Sequence, residues 1–180
     1  MALVLRSLLI YHYFMNKHQA EHVIHTIPPF LHPDSRVLIL GSFPSVKSRQ
    51  VGFYYGHPQN RFYQVLAAVF QDEVPDTVLC KRAFLMKHRI AVWDVVQRCL
   101  ISGSSDASIM KAEPNNVASL VRGSALERVL INGRQAAVLY QKHLAMMPDL
   151  PFIVLPSTSA ANAAYSLERL VDMWAQALKE

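Results

Sequence analysis

Asn60, Asn132 and Asn162 are carboxamides that can each donate and accept hydrogen bonds. Around the first lie Phe53, Tyr54 and Tyr55, flat faces on which a ring can stack, and His57, a cation or proton carrier near neutral pH. Lys47, Arg49 and Arg61 offer countercharge to an anion. The segment Pro156–Asn162 sets small residues behind a proline, so its backbone N–H groups can approach a phosphate closely. The set is rich in amides, hydroxyls and aromatics and poor in strong nucleophiles.

Several familiar chemistries are excluded. No GxxxxGK[ST] or GxGxxG follows a strand, which argues against nucleoside-triphosphate and dinucleotide folds. Ser157 with a histidine and Asp94 raises a hydrolase triad, but a nucleophile elbow needs GxSxG and this chain has LPSTS. There is no carboxylate cluster for a metal, and no cofactor is implied. His22 and His25 have a spacing that binds metal on a helix, but both are expected in solvent.

The elements that must position these groups follow from the apolar pattern. Val37–Leu40 is a buried strand ending at Gly41, and a polar, aromatic loop runs from there to Asn60. A loop of that length is more than a βα connection and marks a site. Phe62, Val65, Leu66, Val69 and Phe70 then cover one face of a helix closing near Gln71. A helix is expected over Asp76–Lys87, with Leu79, Ala83, Leu85 and Met86 inward. Strand Ile90–Asp94 ends in a carboxylate that either caps a helix or anchors a loop; Leu100–Ile109 is turn-like. Next come a short helix Val117–Arg122 capped by Asn115 or Asn116, strand Arg128–Ile131 and helix Arg134–Met146. Strand Phe152–Leu155 and helix Ala163–Lys179 complete the series.

Alternating strands and helices predict an α/β fold, a three-layer α/β/α sandwich around a four-stranded parallel sheet. Topology alone then gathers the Gly41–Asn60 loop, Asp94, Asn132 and the Pro156–Asn162 loop at the carboxyl edge of the sheet, where such folds place their sites.

At 180 residues, 52% apolar and 17% charged, the chain suits one globular domain, taken as 26–180. A net charge of +5 favours an anionic partner. Residues 1–25 read as an N-terminal extension or arm, with Asn16–His25 a short polar helix or ordered arm. The apolar run 1–14 is too short to span a bilayer, lacks a signal-peptide cleavage site, and is expected to come from an upstream start. Cys80 and Cys99 fit reduced, buried thiols in a cytoplasmic protein, with a monomer as the default.

GSFPS (Gly41, Ser42, Phe43, Pro44, Ser45), Ser48, GFYYGHPQNRFY (Gly52–Tyr63) and LPSTSAAN (Leu155–Asn162) together resemble the uracil-DNA glycosylase superfamily, and within it the hypoxanthine-DNA (deoxyinosine) glycosylase branch. Trp93–Asp94, Gly103–Asp106 and Asn132–Gly133 extend the likeness over about residues 30–175. The resemblance implies a DNA glycosylase of base excision repair acting on double-stranded DNA that carries a damaged or mispaired base, without metal or membrane. It implies a base pocket of Gly41, Ser42, Phe43, Pro44, Ser45, Tyr55 and Asn132. The strand would be held by Lys47, Ser48, Arg49, Arg61, Pro156, Ser157, Thr158, Ser159 and Asn162. Uracil- and mismatch-type members place an Asp or Asn in the first motif; here Phe43 stands there and cannot polarise water. The catalytic amide is then Asn60 of HPxN, orienting water and hydrogen-bonding the leaving group, with His57 as a proton source. Phe43 and Tyr55 are candidates for stacking on the base. Tyr63, where relatives tend to have Trp, keeps an aromatic wall.

Each role has a plainer competitor. Asn60 is also a natural helix cap, Phe53 a core aromatic, and His57 a turn residue before Pro58. Two rival functions stand beside the first: a uracil or G:U/T mismatch glycosylase, and a catalytically silent DNA binder. No lysine stands out as a Schiff-base nucleophile, so no lyase step is expected.

Overall fold

The computed structural model describes residues 20–143, 145 and 147–179, so residues 1–19, including the expected start of the arm, lie outside it. Glu21–Ile24 forms β1, a strand where a helix was one expectation. β2 (Val37–Gly41) is buried along its whole length and leads into a short α1 (Val46–Val51) inside the long loop. α2 (Phe62–Phe70) and α3 (Val78–Lys87) precede β3 (Ile90–Asp94). β4 (Val96–Ile101) and β5 (Met110–Pro114) follow, then α4 (Val117–Val121). β6 (Arg128–Asn132), α5 (Arg134–Lys142), β7 (Phe152–Leu155) and α6 (Leu167–Lys179) close the chain.

The four-stranded sheet has the order β3-β2-β6-β7 with every pairing parallel, as the apolar runs predicted. Alternation along β2 divides the core. Val37 and Ile39 face α2, α3 and α6, while Leu38 and Leu40 face α4, α5 and β4. Both faces are covered, which is why these strands read as unbroken hydrophobic runs.

A second sheet was not foreseen. β1, β4 and β5 form an antiparallel sheet in the order β1-β4-β5, taking in part of the segment expected to be only turn. β1 pairs with β4 from Glu21↔Ile101 to Ile24↔Arg98, so residues 21–24 of the supposed arm are built into the fold. Asn115 holds the bend between the two sheets: buried, it donates from Nδ2 to the carbonyls of Asp94 (2.9 Å) and Val96 (3.1 Å). The cap of α4 is therefore Asn116, whose Oδ1 accepts from Ser119 N–H at 3.0 Å.

Other boundaries shift for local reasons. Ser45 caps α1 and Gly52 ends it with φ 70°, a serine and a glycine at the positions that favour a helix start and stop. α6 begins four residues late because Ser166 accepts from Arg169 N–H. α5 ends at Lys142, and its expected extension to Met146 runs partly into residues outside the description. On α3 the buried residues are Phe84 and Leu85, whereas Leu79, Ala83, Met86 and Cys80 are exposed, contrary to expectation; Cys99 is buried. Among the described residues no helix is long and apolar enough to cross a membrane.

Candidate active site

The carboxyl edge of the parallel sheet opens into a narrow polar cleft. Gly41, Ser42 and Phe43 line it from the end of β2, Asp94 from β3, Asn132 from β6, and Ser157, Thr158 and Ser159 from the loop after β7. Tyr54, Tyr55 and Asn60 enter from the long loop, and Asp106 from the hairpin between β4 and β5.

One side of the cleft is a chain of amides whose direction can be read from its ends. Thr158 N–H donates to Asn132 Oδ1 (3.0 Å), so Asn132 Nδ2 is the donor to Thr158 Oγ1 (3.0 Å). The Thr158 hydroxyl then donates to Asn60 Oδ1 (3.0 Å), which also accepts from Phe62 N–H (3.0 Å). A backbone N–H can only donate, so both amides have one possible orientation. Both acceptor positions of Asn60 Oδ1 are taken. Its Nδ2 has no partner among the described residues and is the polar group Asn60 offers to the cleft. Asn60 thus accepts from the first N–H of α2, whose cap position is Arg61 and not Asn60, and it lines the cleft.

The opposite side carries acids. Asp94 is buried, with Oδ2 2.8 Å from His25 Nε2, and the His25 side chain is only 1% exposed. That corrects the expectation of a solvent-exposed His25: pairing of β1 with β4 draws it inside, edge-on to Phe43 at 5.9 Å. His22 is exposed. Gly41 is required beside this pair, because a Cβ there would collide with the Asp94 carboxylate. Burial pushes Asp106 up to about 6, the negative charge of Asp94 adds to the rise, and the neighbouring Ser42 hydroxyl opposes it.

The tyrosines occupy the floor. Tyr54 donates to the carbonyls of Ile27 (3.1 Å) and Pro28 (3.0 Å). Tyr55 holds a left-handed backbone at φ 52°, a conformation that costs a non-glycine residue energy and recurs at functional sites. One ring face is stacked on Phe62 at 3.6 Å, leaving at most the other for a base. Its hydroxyl is buried without a partner; Asn132 is near, but no hydrogen bond of normal geometry joins them. Burial and the charge of Asp94 hold both phenols well above their ordinary pKa.

Several residues expected on DNA are turned inward instead. Arg61 donates to the carbonyls of Tyr165 (2.6 Å), Ser159 (3.1 Å) and Asn162 (2.9 Å), clamping the second loop to the head of α2. Arg49 donates to Pro44 O (2.7 Å) and lies over Phe43, and buried Ser48 accepts from Gly56 N–H (3.0 Å). Thr158 is fully buried, and Asn162 Nδ2 donates to Ser157 O (2.8 Å). The N–H groups of Thr158, Ser159, Ala161 and Asn162 are all spent within the fold, so they form no phosphate cradle. Lys47 remains exposed, and Ser157 and Ser159 line both the cleft and a wider groove beside it along α5. Ser45 lines the cleft while capping α1, and Pro44 is buried. His57 is exposed and outside the cleft lining, its Nδ1 accepting from Gln59 N–H at 3.2 Å. Phe53 is core and Tyr63 is buried. Among the described residues no cluster of three or more His, Cys, Asp or Glu could hold a metal ion.

Fold and cleft define a class first: an α/β/α protein with a polar pocket of amides, hydroxyls and carboxyls at the sheet's carboxyl edge. The chain belongs to the Uracil DNA glycosylase superfamily, which it matches over residues 28–179. A hypoxanthine DNA glycosylase of Methanosarcina acetivorans is 34% identical over 144 residues, 79% of this chain and 90% of the relative. One of Methanosarcina barkeri is 33% identical over 155 residues, 84% of this chain and 96% of the relative. A Methanosarcina acetivorans chain solved by solution NMR, provisionally assigned to the uracil DNA glycosylases, superposes with a TM-score of 0.71 at 30% identity, covering 86% of this chain and 97% of that one.

Proposed function

We propose that the chain is a monofunctional DNA glycosylase that extrudes a deaminated base from double-stranded DNA, hypoxanthine ahead of uracil, and hydrolyses its N-glycosidic bond to leave an abasic site. The observation that carries this reading is the fixed direction of Asn60, whose Nδ2 is offered to the cleft by the Thr158 and Phe62 bonds. The names of the two Methanosarcina relatives support hypoxanthine as the preferred base.

The chemistry follows from what the residues offer. A stacked base hides its glycosidic bond, and flipping it out costs a few kcal/mol, least when the base is mispaired. As the bond breaks, negative charge collects on the departing base. A preorganised N–H donor at that position contributes roughly 3–4 kcal/mol. With both acceptor positions of Oδ1 engaged, Asn60 acts on the base and not as the acceptor that orients water, which narrows its expected work. Among the described residues no lysine lines the cleft, and the reading includes no lyase step. On this reading the protein acts as a monomer on genomic DNA in the cytoplasm.

Duplexes carrying one deoxyinosine or one deoxyuridine, incubated with the protein and treated with alkali, test the reading. Scission at inosine, faster than at uracil, is the expected result. Scission at uracil alone gives the uracil or mismatch glycosylase, and retarded migration without scission gives a silent binder.

A further inference from the structure

The acids of the cleft have no part in the account above, although a purine leaving group needs a proton. The imidazole expected to supply it, His57, lies outside the cleft lining. The phenols of Tyr54 and Tyr55 hold their protons too firmly, because burial and Asp94 push both up. Asp94 is committed to His25 at 2.8 Å. Asp106 is the remaining carboxyl of the cleft, and among the described residues it has no ion-pair partner. It also lines the wider groove, so it stands at the junction of groove and cleft.

We propose that Asp106 is the general acid that protonates a ring nitrogen of the departing purine as the glycosidic bond breaks. The inference rests on the glycosylase reading and names a catalytic group for the same site. The carboxyl O–H of Asp106 breaks and its proton goes to the purine. The C1′–N9 bond breaks with its electron pair leaving on the base. Water adds its oxygen to C1′, its released proton goes to solvent, and solvent returns one to Asp106.

The groups facing Asp106 keep the acid form within reach. Asp94 on β3 raises it, Ser42 after β2 lowers it part-way, and Tyr55 and Cys99 are themselves raised by its charge. Arg49 on α1 is committed to Pro44 O. Burial dominates and lifts the group to about 6, and a base seated over it removes further water and pushes the same way. Two carboxyls in one pocket with different surroundings commonly divide acid and ion roles between them.

Single-turnover release from deoxyinosine and deoxyuridine duplexes is measured across pH 5 to 9 for the wild type, Asp106→Asn and Asp106→Glu. Duplexes carrying 7-deaza- and 3-deaza-deoxyinosine, each lacking one candidate nitrogen, are included. The expected wild-type rate on inosine falls as pH rises beyond the Asp106 range. Asp106→Asn removes that limb and slows inosine release about 100-fold or more, with a smaller loss on uracil and partial recovery in Asp106→Glu. On one of the two deaza substrates the substitution adds nothing, because the proton has nowhere to go. An Asp106→Asn protein with wild-type inosine rate and pH profile overturns the proposal. So does one equally impaired on uracil and both deaza substrates. A wild type that releases neither base overturns the glycosylase reading itself.

Discussion

The two sides of the cleft are built by opposite means. The amide side, Asn60, Asn132 and Thr158, hangs on the parallel sheet and its loops and is neutral; the side-chain oxygens of both amides are fixed by backbone N–H donors, which sets the direction of each amide. The acid side, His25, Asp94 and Asp106, sits where the parallel sheet meets the antiparallel one, and holds a carboxyl, Asp106, pushed up to about 6 with no ion-pair partner among the described residues. A satisfied polar network stiffens a site, whereas a desolvated acid is a cost the fold retains. The first side is thus made for aim, the second for reactivity.

The largest effect should come from separating the two halves of the Asn60 amide. Asn60→Asp keeps an oxygen for Phe62 N–H and Thr158 and replaces the Nδ2 donor. Base release should fall about 100- to 1,000-fold with the melting temperature little changed. Thr158→Val leaves the donor and its Phe62 bond but removes one of the two hydrogen bonds that hold Asn60 Oδ1 in place; a loss of about tenfold in kcat, small in KM and restored by Thr158→Ser, marks a positioning role. Single-turnover rates paired with thermal melts decide this. An Asn60→Asp protein that still releases base would move the chemistry off the amide side altogether.

This division was only half legible in the sequence. Val37–Leu40 and Arg128–Ile131 announce themselves as buried strands because both their faces are covered, and the site follows from their shared direction. β4 and β5 gave no such signal. β4 breaks the two-residue alternation, with Gln97 and Arg98 both exposed, no residue of β5 is buried, and the partner of β4 on its other edge, β1, is fixed by long-range pairing. His25 was hidden for the same reason, its partner Asp94 lying 69 residues away. Arg61 reads as a phosphate contact because a cation in a polar loop suggests one, while the carbonyls that take it in the fold are 98 to 104 residues downstream. The Ser45 and Gly52 caps of α1, by contrast, are local signals that the sequence carries.

The acid side should show its cost in stability. The folded state holds the Asp106 proton up to about 6 against an ordinary 3.8, so the native protein binds more protons than the unfolded chain between those values. Stability conferred by that proton is present at low pH and lost as pH rises through 6. Asp106→Asn should therefore be more stable than the wild type above pH 6, by on the order of 2 kcal/mol, with the gap closing near pH 4. Chemical denaturation at pH 4.5 and 7.5 measures it. A variant that is less stable at both pH values would make Asp106 a structural residue of the hairpin.

The smallest effect concerns the cations outside the cleft, and it separates binding from construction. Lys47 is exposed, with no hydrogen-bond or ion-pair partner among the described residues, whereas Arg61 is spent on three carbonyls. If Lys47 meets a phosphate, Lys47→Ala weakens DNA binding several-fold, equally for damaged and undamaged duplex. It also lowers the slope of log affinity against log salt by about 1. Arg61→Ala should leave that slope unchanged while lowering the melting temperature, since it frees the second loop from α2 and strands the carbonyls that the guanidinium now serves. Affinity titrations at several salt concentrations, with melts on the same preparations, make the distinction. A salt slope that falls in Arg61→Ala and stays fixed in Lys47→Ala would mean that the loop opens on DNA and hands its arginine to the backbone.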